Sequence, residues 1–248
     1  MNRLQTELNR LYLGGLVFAQ ADAQDLSLAD TRGRVRALVL EVAQPTGWDA
    51  LSEVWHGVQT ELELPAPGIA VSGRDGLQLW FSIETAIPAS QAHAFLEELR
   101  LRFLAHVPAA RVRLWPTPAQ PPQHAALVPA LQPDTGHWSA FVAPDLAAIF
   151  SDTPWLDVEP GEEGQAALLR ALQTIQPAAF DAALAGMRAT APEAPAPVPS
   201  LAGAPAPARE AVALAHGATD DPRQFLLRVM NDESVALALR IEAAKALL

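Results

Sequence analysis

Apolar residues follow two periods along most of the first 188 positions, one of about 3.6 residues and one of about 2, and the changes of period predict where helices and strands begin. Leu4, Leu8, Leu11 and Leu13 sit at near-helical spacing and stop at Gly14-Gly15, which predicts a helix over 2–13. A short strand is expected at 16–19 and a polar loop over 20–31. Residues 34–42 read as a strand whose apolar end is too dense for exposure on both faces. Pro45-Thr46-Gly47 punctuates it, and Leu51, Val54, Trp55 and Val58 then mark one stripe of a helix over 48–61. The loop 64–68 leads into the most informative stretch. An apolar run from Gly68 enters Ser72-Gly73-Arg74-Asp75-Gly76 and leaves alternating, with Leu77, Leu79, Phe81 and Ile83 against Gln78, Trp80 and Ser82. Two strands joined by a turn with two glycines is the simplest account.

Beyond this hairpin, Pro88 opens the clearest helical pattern, 88–106, with Ala92, Phe95, Leu96, Leu99, Phe103 and Leu104 as its apolar face. Residues 111–115 alternate like a strand. Six prolines between Pro116 and Pro133 predict an irregular crossing ordered by packing. A strand over 138–142, a short helix over 145–150 and helices over 164–175 and 178–187 complete a main domain, 1–188. Alanine and proline dominate 189–212, the composition of a semi-extended linker. Residues 213–248 predict a C-terminal helical hairpin too short to hold a core of its own, so it is expected to dock, dimerise or fold on a protein partner. The expected class is α+β, a mixed sheet flanked by helices, with the small hairpin appended.

Composition narrows the chemistry. Half of the 248 residues are hydrophobic, enough for a substantial core. A net charge of −11 argues against coating nucleic acid through bulk electrostatics, while leaving room for a local basic patch. The absence of cysteine removes disulfides, thiolate nucleophiles and cysteine metal sites. Sixteen arginines and Lys245 make up the basic residues, so the main body has no lysine for a Walker A loop, a Schiff base or nucleotidyl transfer. The histidines show no His-Glu-x-x-His spacing, and there is no Gly-x-Ser-x-Gly elbow. No apolar run approaches the roughly 18–20 residues that span a bilayer. With Arg3, Glu7 and Arg10 in its first turns the N-terminus reads as a surface helix, and a cytoplasmic protein is expected.

Two clusters are candidates for binding. A tight turn with two glycines brings backbone N–H groups and Arg74 together, an arrangement suited to a phosphate; the plainer alternative is an ordinary hairpin with Arg74 in solvent. Arg34 and Arg36 share one face of their strand, a candidate nucleic-acid stripe or simply a solvated strand start. Trp80 is either a stacking face for a base or core filling.

The order Val39-Leu40-Glu41-Val42, Pro45, Gly47-Trp48, a helix, Leu62-Glu63-Leu64-Pro65 and then Ser72-Gly73-Arg74-Asp75-Gly76-Leu77-Gln78 resembles the archaeo-eukaryotic primase superfamily. The likeness is greatest to the primase-polymerase domain of bacterial ligase D proteins and covers roughly residues 34–115. It implies a primase-polymerase-like fold. It also implies a site in which an Asp-x-Asp pair and a later acid bind divalent metal while a Ser-Gly-x-x-Gly-x-His motif holds the phosphates of a nucleotide. Here Glu41 stands at the first acidic position, Ala43 at the second and Gln78 in place of the histidine, and 111–115 contains no carboxylate. Two-metal phosphoryl transfer needs several converging oxygen ligands. The expectation is therefore a protein with no catalytic residue, metal or cofactor. Ser72, Gly73, Arg74 and Gln78 would hold a nucleotide or single-stranded nucleic-acid phosphate, beside Glu41 as a remnant acid. Asp134, Asp145, Asp152 and Asp157 are the remote acids from which a rearranged metal site would have to be built. The role implied is an accessory one in replication, repair or mobile-element biology. The alternative is an acidic interaction or scaffold module that binds no nucleic acid.

Overall fold

The hydrophobic pattern predicts a sheet with helices packed on it, and a computed structural model, which describes residues 2–14, 28–45, 47–119 and 121–190, has that architecture. The chain divides into two units, Met1–Ala194 and Pro195–Leu248, and the described residues lie in the first. The strand expected at 16–19, the loop as far as residue 27, the linker beyond Thr190 and the hairpin 213–248 lie outside the described residues.

Six strands follow one another in the sheet as β4 (Val112–Trp115), β1 (Arg34–Ala43), β3 (Gly76–Pro88), β2 (Gly68–Val71), β6 (Trp138–Val142) and β5 (Ala130–Leu131). Each of these pairings is antiparallel, and an isolated parallel bridge joins Ile83 to Ile175. The central strands are covered twice. On one face Leu38, Leu40, Leu77, Leu79, Phe81 and Ile83 meet α2 (Gly47–Thr60), α3 (Ala89–Phe103) and α5 (Pro177–Thr190). On the other, Ala37, Val39, Ala70, Trp80 and Phe141 meet α1 (Arg3–Leu8), the turn after it, α4 (Glu162–Arg170) and the proline-rich crossing through Ala125, Leu127 and Val128. A register shift between Val35 and Ala37 sends those two residues to opposite layers.

This second layer explains where β3 departs from a half-exposed strand. Its alternation is kept, yet Gln78, Trp80 and Ser82 are all buried. Trp80 is core: its ring lies edge-on to Tyr12 at 5.2 Å and to Phe141 at 5.8 Å.

The helix expected over 2–13 is divided. Asn2 caps α1 by accepting a hydrogen bond from the Gln5 N–H, while the Gln5 side chain accepts one from the Asn2 N–H. From Asn9 to Leu13 the chain widens into a π-helical turn, closed by Gly14 at φ +57°. Three successive residues of a regular helix spread over more than half of its circumference, whereas here Leu11, Tyr12 and Leu13 are all buried. The Leu11 carbonyl accepts a 2.6 Å hydrogen bond from Ser82 Oγ, which ties this turn to β3. The short helix expected at 145–150 is a 3₁₀ segment, Pro144–Phe150. No helix among the described residues is long and apolar enough to cross a membrane.

Phe95 is the pin of the helical layer, with its ring 6.1 Å from Phe81 on β3 and 4.8 Å from Phe180 on α5. Phe95→Ala removes a fully buried aromatic and is expected to cost about 3–5 kcal/mol, read as a lower denaturant midpoint at an unchanged slope.

Candidate functional site

Register places one polar row across three strands. Glu41 of β1 lies opposite Gln78 of β3 on one side and Arg113 of β4 on the other, so all three project from one face. They line a cleft of about 560 Å³ together with Ser72, Arg74 and Trp115. Glycine at 76 is what lets Glu41 lie against the hairpin, since a Cβ there would sit 2.8 Å from its Cγ.

Glu41 is 3% exposed, and its carboxylate is fully engaged. Gln78 Nε2 donates to Oε2 at 2.7 Å, and Arg113 Nη1 donates to Oε1. Trp80 Nε1 in turn donates to Gln78 Oε1 at 2.8 Å, which fixes the orientation of that amide. Arg113 also forms a two-pronged pair with Asp75, both contacts 2.8 Å. Burial pushes the Glu41 carboxyl above the ordinary glutamate value, and the hydrogen bond from Gln78 and the charge of Arg113 pull against it. Hydrogen bonding to Arg113 holds Asp75 below the usual carboxylate range and raises Arg113.

The turn is less open than its sequence predicts. The Ser72 N–H donates to the Gly76 carbonyl and the Gly73 N–H to the Pro154 carbonyl. Ser72 Oγ accepts from the N–H groups of Arg74 at 3.1 Å and Gly76 at 3.0 Å. The backbone donors that a phosphate would use are thus spent within the turn and on Pro154, and Gly73, at φ +75°, packs against Gln132 and residues 138–139. Arg74 reaches across to the loop between β5 and β6, where Asp134 takes two of its hydrogen bonds, 2.8 and 3.1 Å.

Ser72, Arg74, Gln78 and Glu41 therefore converge on one cleft, with Gly73 behind them. Arg34 and Arg36 do not join it. They lie roughly 23 Å and 17 Å along β1 from Glu41, where Arg34 pairs with Asp30 and Arg36 donates to the Ile83 carbonyl. Of the four remote acids, Asp134 reaches the cleft, and it is held by Arg74; Asp157 pairs with His137 at 3.2 Å. Arg113 and Asp75 were not singled out by the sequence. The available signal was Glu41 itself, an acid in an apolar strand that needs a cation.

A divalent metal does not fit this donor set. Both Glu41 oxygens face N–H donors, Ala43 lies opposite Gly76, and β4 presents a guanidinium. No three acidic, histidine or cysteine side chains among the described residues are grouped to hold an ion. No protein-family model matches the chain, and no curated protein matches it.

Arg113→Ala leaves Glu41 buried without its counter-charge. The expected cost at neutral pH is about 2 kcal/mol, less than the roughly 3–5 of a fully buried pair because Arg113 is half exposed. In this variant a Glu41 carboxyl held above its unfolded pKa contributes full stability below that unfolded value and loses it as pH rises through the folded one. The deficit should therefore shrink on acidification, and Glu41→Gln in the same chain should recover most of it, measured by urea denaturation at several pH values.

Proposed function

We propose that this protein is a non-catalytic relative of the primase-polymerase domains, binding a nucleotide or a single-stranded nucleic-acid phosphate in its cleft without metal. The observation that carries this reading is the placement of Arg113 between Glu41 and Asp75, with the Ser72–Gly76 turn beside it. A guanidinium there neutralises the acid that would otherwise help to hold a metal, and it cannot coordinate one.

The two arginines of the cleft are not equivalent. Arg113 is the cation of a nearly buried carboxylate, and displacing it would strand that charge. Arg74 and Asp134 meet on exposed turns, where such a pair contributes roughly 0–1 kcal/mol and is readily exchanged for a ligand. Arg74 is thus the residue open to a phosphate. A second reading, an acidic interaction module with no nucleic-acid ligand, is favoured by the turn N–H groups being already engaged.

Purified protein should not extend a primer with Mn²⁺, and Glu41→Ala should leave that null result unchanged; extension that disappears in Glu41→Ala would overturn the non-catalytic reading. Single-stranded DNA should bind with an affinity that falls as salt rises, and about tenfold more weakly in Arg74→Ala. Absence of binding decides for the interaction module, and equal binding by both proteins would overturn the role given to Arg74.

A further inference from the structure

The charges of the cleft set a limit on its ligand. Two guanidinium groups, Arg74 and Arg113, face three carboxylates, Glu41, Asp75 and Asp134, so the lining carries an excess of one negative charge. A triphosphate brings about four more, and enzymes ordinarily meet that charge with a divalent ion held by carboxylates. The carboxylates here are already bonded to guanidinium groups, and a single one of those, Arg74, is exchangeable. One phosphate group can replace Asp134 on Arg74 in the same two-pronged geometry, releasing Asp134 to solvent on its exposed turn.

The rest of the lining suits the base of such a ligand. Trp115 is half buried at the end of β4, and Ala125 and Val128 of the proline-rich crossing also line the cleft. Trp115 follows Arg113 by two residues on β4 and so shares its face of the strand, and an indole face is a general platform for a nucleobase. The volume of about 560 Å³ lies within the range of small-ligand pockets, roughly 300–1,000 Å³. Resting on the phosphate-binding reading above, we infer that the cleft selects a nucleotide unit bearing one phosphate group, with Arg74 exchanging Asp134 for the phosphate and Trp115 meeting the base. A mononucleotide and one unit of a single strand share this chemistry.

The test is a set of calorimetric titrations of the full chain with AMP, a short oligodeoxynucleotide, inorganic phosphate and ATP, each with and without Mn²⁺. AMP or the oligonucleotide should bind without Mn²⁺, and ATP more weakly, by about tenfold or more. The arm that binds identifies the source of the phosphate. Asp134→Asn is the decisive variant, since it frees Arg74 and removes one negative charge. It should tighten AMP or oligonucleotide binding, whereas a merely structural Asp134 predicts loss or no change. Trp115→Ala should weaken AMP and leave inorganic phosphate unaffected. ATP with Mn²⁺ binding more tightly than AMP, or Asp134→Asn failing to tighten, would overturn the single-phosphate inference while leaving phosphate binding at Arg74 intact. Failure of every ligand to bind both wild type and Asp134→Asn would overturn both.

Discussion

A carboxylate buried in the middle of an antiparallel sheet must be supplied with partners, and Glu41 imposes that demand on this structure. Its oxygens take an amide from one neighbouring strand and a guanidinium from the other. The consequences spread outward. Gln78 is held in turn by the Trp80 indole, Gly76 must lack a side chain, and Arg113 is steadied by Asp75 from the hairpin turn. Leaving a buried charge unpaired costs far more than any one of these contacts returns, so the row behaves as a unit. The same row forms the polar wall of the cleft.

Cover on both faces of the sheet decides how far that wall extends. Helices cover the central strands on one side. On the other, α1, its π-helical turn and the proline-rich crossing bury Val39, Trp80 and Phe141. The open part of this face is left to Glu41, Gln78 and Arg113 with the residues around them. Tyr12 shows how tightly the seal is made. It stacks on Phe141 at 6.1 Å and is wholly buried, with a hydroxyl that has no hydrogen-bond partner among the described residues and is pushed up in pKa by burial.

The two arginines of the cleft have unequal standing. Both are paired with aspartate, and both lie partly in solvent. Arg113 differs because its second partner is buried, which converts a weak surface pair into a fixed element of the fold. Arg74 keeps the lability of a surface ion pair. The cleft thus holds one fixed and one exchangeable cation.

The sequence by itself determined the elements: the strand 34–42, the hairpin around Ser72–Gly76, the helices near 48–61 and 88–106 and the strand 138–142 all follow from local periodicity and turn chemistry, and the α+β class with them. It also determined that Ala43 and residues 111–115 supply no carboxylate, a fact of composition at a position. Tertiary structure decided what those elements do to one another. The burial of Trp80 and Ser82 depends on a layer that residues 3–13 help to form, whose widened turn no 3.6-residue stripe announces. Arg113 meets Glu41 through strand register across 72 residues, and Arg74 meets Asp134 across 60. Local patterns record which way a side chain faces along its own element. Which charges become neighbours, and which backbone donors remain unspent, is set when distant strands come into register.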